Sequence, residues 1–438
     1  MTRDRAMLNA FDPSDLDGLD AAARSLVARR QRVLAPSYRL FYDHPLHIVR
    51  GEGVWLHDAS GRRYLDAYNN VVSVGHANPA VVRAIAEQAA VLNTHTRYLH
   101  EGILEYAEAL VATMPTELAQ ALFVCTGSEA NDVALRIARA ATGGTGVIVT
   151  QLAYHGVTAA VAEISPSLVP QAPRTSHVRT VRAPDTFRIA DVASSLARDV
   201  EGAIADLRAH GIMPAALIVD TLFTSDGVFS DPAGFLAPAA AVMRAAGGLV
   251  IADEVQAGFA RSGSAMWGFQ RHGITPDLVT MGKPMGNGHP VAGVVGSPDV
   301  LAPFGEQGRY FNTFGGNPVS MAAAMATLRV IQEQGLQANA AAMGAYLRDG
   351  FRALAASHPV IADVRGDGLF LGVELADDEP RKDLTAAVVN GMRDRGVLIS
   401  ATGVLGNVLK IRPPLVLERE HADLLLTAAD EALAAAGA

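Results

Sequence analysis

Lys283, in the stretch VTMGKPMGNGHP, is one of only three lysines in a chain that carries 36 Lys plus Arg; the others are Lys382 and Lys410. A lysine serves chemistry when burial or a neighbouring cation makes its amine neutral, which an arginine cannot imitate. The flanks of Lys283 are uncharged and rich in glycine, so a neutral amine able to form an imine with a carbonyl is the functional reading. A solvated loop lysine is the bland one, and the arginine bias of the chain weighs against it.

An imine-forming lysine that uses pyridoxal phosphate makes two further demands: a carboxylate for the ring nitrogen and an anion site for the phosphate. In GGLVIADEVQAGFARSG an apolar run ends at Asp253-Glu254, and the carboxyl ends of strands are where open α/β sheets bind ligands. In CTGSEANDVALRIARA a strand ends at Thr126-Gly127-Ser128 and a helix begins, which offers backbone N–H groups and a hydroxyl to an anion. Taken singly, each feature also fits an ordinary strand end or an ordinary helix cap.

A second pair of cations stands in NVLKIRPPLVL. At strand spacing Lys410 and Arg412 share one face while Leu409 and Ile411 share the other, and two cations on one face suit an anionic substrate group. The alternative is a solvated edge strand before Pro413-Pro414.

These residues need a frame. The length predicts two or three domains. GVWLHDASGRRYLDAY reads as a hairpin about Ser60-Gly61. From about Asn78 into the 320s, helical patterns alternate with short apolar runs such as ALFVCTG, TGVIVTQ, AALIVDT and GLVIADE, which predicts a mostly parallel sheet covered on both faces. A long helix is expected from 319 to about 334. The remainder alternates strands and helices over shorter distances, as a smaller α+β unit packed with the N-terminal hairpin. The expected division is an N-terminal segment 1–75 joining the small domain, a large domain 76–325 and a C-terminal small domain 326–438.

Composition narrows the partners. A net charge of -9 without a basic run argues against nucleic acid. Apolar runs fall short of a membrane span, and the charged N-terminus lacks the apolar core of a signal peptide, so the expected address is the cytoplasm. The single cysteine, Cys125, excludes an internal disulfide framework and a multi-cysteine metal site, and its flanks suggest a small buried residue. No metal is expected.

The ordered set CTGSEAND, AYHG, IADEVQAGFARSG, TMGKPMGNGHPVAG and FNTFGGNPVS resembles the class III pyridoxal-phosphate aminotransferases, the omega group, over nearly the whole chain. The resemblance implies the fold type I α/β architecture: a large domain with a mostly parallel seven-stranded sheet and a smaller α+β domain. It implies that Lys283 holds the cofactor as an imine and moves the proton between Cα and C4', that Asp253 partners the pyridinium and that Gln256 lies near the ring hydroxyl. Gly127 and Ser128 would form the phosphate cup and Tyr154 would stack on the ring. Thr313 would reach the cofactor phosphate of a neighbouring subunit, which implies a homodimer, or a dimer of dimers, with shared sites. Lys410, Arg412, Asn70 and Arg97 are the candidates for holding substrate.

Two departures from the family pattern bear on the reaction. Lys410 stands where a carboxylate-binding arginine is frequent, and Asp220 followed by Ser225-Asp226-Gly227 replaces a glutamate and a glycine-rich loop. The wording of LNTHTRYLHEGILEYAEAL and NVLKIRPP is similar to the branch with ethanolamine-phosphate and phosphohydroxylysine phospho-lyases. The leading expectation is an aminotransferase moving an amino group from an amine or amino acid to a 2-oxo acid such as pyruvate. A phospho-lyase acting on a phosphorylated amino alcohol such as O-phosphoethanolamine is the alternative. A catalytically silent relative would be expected to lack one of Lys283, Asp253, Gln256, Ser128 or Thr313.

Overall fold

The computed structural model describes residues 9–14, 16, 18–168 and 175–437. Its centre is a seven-stranded sheet whose spatial order is Gln120–Val124, Ala292–Gly296, Leu278–Met281, Leu249–Asp253, Pro214–Asp220, Gly146–Thr150 and Val178–Val181. Ala292–Gly296 runs antiparallel to both its neighbours, and the other adjacent pairs are parallel. The inner strands are buried along nearly their whole length. That is why they read as unbroken apolar runs rather than alternating ones.

Register sets the site. Asp220 pairs with Asp253, and Asp253 with Thr280, so three polar residues line up at the carboxyl ends of three adjacent strands. Lys283 follows three residues beyond Thr280.

The helix Gly127–Thr142 starts where strand Gln120–Val124 stops. Thr126 caps it by accepting from the Glu129 N–H, and the Glu129 carboxylate reaches back to accept from the Cys125 N–H at 2.7 Å, a reciprocal cap. The helix buries Ala130, Asn131, Val133, Ala134 and Ile137 against the sheet and ends at Gly143 in the left-handed conformation, φ 68°.

A second sheet orders Ile361–Asp367, Phe370–Leu375, Val408–Ile411 and Ser400–Thr402. The N-terminal strands Ile48–Glu52, Trp55–Asp58 and Arg63–Asp66 form a third, which Val397–Leu398 extends by pairing parallel to Leu65-Asp66. The N-terminal hairpin and the C-terminal unit are thereby hydrogen-bonded together. The long helix spans Pro318–Glu333, capped by Asn317 with proline in the first turn.

Strand Val408–Ile411 lies between two partners, not at a sheet edge, and Lys410 and Arg412 are buried. The solvated-edge alternative therefore fails, while Leu409 and Ile411 pack into the core on the opposite face. Cys125 is half-buried rather than buried, and burial together with Glu129 pushes its thiol up. Among the described residues, no helix is long and apolar enough to cross a membrane.

Candidate active site

Asp253 is buried and tightly held. His155 Nδ1 lies 2.7 Å from its Oδ2, and the Asn131 amide donates to the same oxygen at 2.9 Å. The Val255 N–H donates to Oδ1. Asn131 is oriented in turn: its Nδ2 also donates to the His155 carbonyl, and its Oδ1 accepts from the Thr280 hydroxyl at 2.6 Å. A contact between an ionised carboxylate and imidazole Nδ1 requires the proton on Nδ1. His155 Nε2 is buried without a partner.

Lys283 is partly shielded, and its amine is pushed down to about 8. Burial is the first cause and the Arg412 guanidinium the second, against the pull of Asp253 and Asp220. This is the neutral-amine condition that imine chemistry requires.

Gly127 and Ser128 contribute the first N–H groups of their helix, which have no intrahelical acceptor. The Ser128 hydroxyl accepts from the Val157 N–H at 3.1 Å. A Cβ on Gly156, whose φ is +142°, would meet Ser128 Oγ at 2.4 Å, so only glycine allows this close approach. Tyr154, in the same turn, is 38% exposed rather than buried. Burial first, then Asp253 and Tyr68, push its hydroxyl up.

The loop after strand Pro214–Asp220 places more acid there. Asp220 accepts from the Thr224 hydroxyl and from the N–H groups of Leu222 and Thr224. Gln256 Nε2 donates to Thr224 Oγ1 at 2.6 Å, and Gln256 Oε1 accepts from Arg412. A relay thus runs from Arg412 through Gln256 and Thr224 to Asp220. Arg412 also donates to the Tyr68 carbonyl at 2.6 Å and lies 4.6 Å above the Tyr68 ring. Its guanidinium is occupied by the protein, and so is the carboxamide of Gln256.

Lys410 differs. It forms no ion pair among the described residues, and its amine stands 5.5 Å from the centre of the Phe370 ring. Burial first, then Arg412 and Lys283, push it well below its ordinary value, against Asp220 and Asp226. Asp226 accepts from the Thr150 hydroxyl at 2.6 Å and from the Leu152 N–H, and burial raises it to about 6. Asp220 is raised as well, by burial and Asp253.

The remaining candidates divide. Asn70 is buried and donates to the Gln256 carbonyl at 3.0 Å, leaving its Oδ1 without a partner. Arg97 and Thr313 are exposed. Arg97 lies 3.8 Å over the Phe311 ring, beside a cavity of about 450 Å³ that none of Lys283, Asp253 or Gln256 lines. Within one chain, these two residues are not brought to the lysine.

Sequence reasoning missed Asn131, His155, Thr224 and Tyr68. A signal existed for two of them. Asn131 is three residues beyond Ser128 on one helix face, and His155 stands inside AYHG beside Tyr154.

An acid held at a strand end, a depressed lysine and an N–H cup at a helix start fit the ring nitrogen, aldehyde and phosphate of pyridoxal phosphate. Fold and site together define a pyridoxal-phosphate enzyme. Residues 39–433 match the family model "Aminotransferase class-III", and the chain belongs to that family. It is 41% identical over 425 residues to the alanine–glyoxylate aminotransferase 2-like protein of Drosophila melanogaster, covering 93% of this chain and 86% of that one. It is 35% identical to ethanolamine-phosphate phospho-lyase homolog 1 of Caenorhabditis elegans, covering 93% of each. Among solved structures, a phospholyase from Arthrobacter in complex with phosphoethanolamine superposes with a TM-score of 0.90 at 48% identity, over 93% of this chain and 99% of that one.

Proposed function

We propose that this class III enzyme is a phospho-lyase that eliminates phosphate from a small phosphorylated amino alcohol, O-phosphoethanolamine being the reference substrate. The observation that carries the reading is Lys410, a buried amine beside Lys283 with no carboxylate paired to it. A desolvated amine regains its proton when a dianion arrives next to it, and the pair is strong because it is dry. The similarity to the Arthrobacter phospholyase, solved with phosphoethanolamine, supports the same reading.

Bound pyridoxal phosphate supplies the electron sink that makes a Cα proton removable. Lys283, with its amine at about 8, takes that proton. The freed electron pair forms the Cα–Cβ double bond as the Cβ–O bond breaks, and phosphate leaves with the bonding pair. Lys410 neutralises the phosphate as it departs. With one water, O-phosphoethanolamine yields acetaldehyde, ammonia and phosphate, so no oxo acid is consumed.

A second reading, transamination to a 2-oxo acid such as pyruvate, is favoured by the family and by the Drosophila relative. In that case Lys410 would receive a substrate carboxylate. The experiment is to incubate holoenzyme with O-phosphoethanolamine and no oxo acid, measuring phosphate and acetaldehyde. Equimolar release over many turnovers is the expected result. Absence of phosphate together with pyruvate-dependent turnover of amines would give the second reading instead.

We also infer a homodimer. Tyr98, Leu99, Phe311 and Phe314 are exposed around Arg97 and Thr313, with Leu99 fully exposed at 102% and Phe314 at 67%. Large apolar side chains exposed together in this way suit an interface. Covering it with a second copy would bring Thr313 and Arg97 toward a neighbouring site.

A further inference from the structure

We propose that the cavity between the helices Gly127–Thr142 and Pro298–Glu306 is a second anion site, built for inorganic phosphate or a small phosphorylated metabolite and separate from the catalytic cavity. Its volume is about 350 Å³, in the range of small-molecule sites. Three guanidinium groups line it, those of Arg136, Arg139 and Arg309, and no carboxylate does. Arg136 and Arg139 stand three apart on one helix and share a face, and Arg309 arrives from the loop after the second helix.

None of the three makes an ion pair among the described residues. Other arginines of the large domain do sit on carboxylates, among them Arg179 on Asp206, Arg182 on Asp199, Arg188 on Glu374 and Arg244 on Asp277. Arg139 Nε is buried without an acceptor, a donor that an oxyanion would satisfy.

The walls keep the cations in place. Arg136 lies 4.9 Å over the Phe304 ring and 5.8 Å from that of Tyr310, contacts that hold the plane of its guanidinium. The Tyr310 hydroxyl is buried beside the Asn312 side chain and has no hydrogen bond of good geometry. Glu129, whose charge is felt by Tyr310, is spent on the Cys125 N–H. Forked guanidiniums of this kind recognise the oxygens of phosphate.

The test is calorimetric titration of holoenzyme with inorganic phosphate, and then with glycerol 3-phosphate, for the wild type and for Arg139→Gln/Arg309→Gln. The double variant is expected to lose one equivalent of bound phosphate per chain while keeping its kcat/KM within twofold, because neither residue touches the catalytic cavity. Should Arg139→Gln disturb folding, Arg309→Gln alone, at an exposed position, is expected to weaken that equivalent at least fivefold. Tighter binding of the organic phosphate assigns a metabolite; equal binding assigns inorganic phosphate. Unchanged stoichiometry and affinity in the variants overturns the proposal. So does a change in sedimentation without any change in phosphate binding, which would make the arginines part of a contact between copies of the chain.

Discussion

His155 and Asp253 are 98 residues apart in sequence, yet His155 Nδ1 lies 2.7 Å from Asp253 Oδ2, with both side chains buried. Asn131 bonds the same carboxylate oxygen, so the acid has a fixed direction before any ligand arrives. His155→Asn removes one buried partner of a charged group, a loss of about 1–3 kcal/mol. Pyridoxal phosphate should therefore dissociate roughly 5- to 150-fold more readily, measured by cofactor release from holoenzyme. Unchanged release would show that His155 supports the fold and not the acid.

Lys283→Ala should abolish the borohydride-reducible adduct while leaving the circular dichroism spectrum intact. In the wild type, the amine is pushed from an ordinary 10.5 to about 8, so its reactive neutral form predominates above pH 8. Capture of cofactor by the apoprotein should accelerate about tenfold per pH unit below that point and level off above it. A rate still climbing at pH 10 would mean that the amine is not depressed.

Lys410→Met keeps the length of the stem and deletes the charge. Hydrogen bonds to charged groups contribute about 1.5–3 kcal/mol, so KM for O-phosphoethanolamine should rise by roughly one to two orders of magnitude. KM for a neutral amine tested beside it should change little. Equal effects on both would place Lys410 outside the substrate site.

Asp226 is raised from 3.8 to about 6 by burial. The folded state therefore binds its proton more tightly than the unfolded state. The stabilisation this gives is complete below pH 4 and is lost as pH rises through about 6, amounting to about 3 kcal/mol. Asp226→Asn can still accept from Leu152 and can donate to Thr150. Its apoprotein should show a flatter dependence of Tm on pH between 4 and 6 than the wild type. Parallel curves would sink the assignment.

Leu99→Glu combined with Phe314→Glu should convert a dimer into monomers on sedimentation and remove activity, since Thr313 would no longer meet a second copy. A monomeric but fully active variant would show that one chain suffices.

Much of this molecule is local in origin. Runs such as GLVIAD and AALIVD specify buried parallel strands because a strand covered on both faces must be apolar throughout. Lys283, Asp253 and the Gly127-Ser128 turn were legible for a related reason: strand ends and helix starts are where such folds place their chemistry. Tertiary structure alone decided which polar groups remain available. The Lys410 and Arg412 pair reads as two equivalent cations on one face. Folding spends Arg412 on Tyr68 and on Gln256, the latter 156 residues away, and leaves Lys410 with no ion pair among the described residues. The Asn131 bond to Asp253 spans 122 residues. No local period encodes pairings at such separations, because they arise only when strand register sets Asp220, Asp253 and Thr280 side by side.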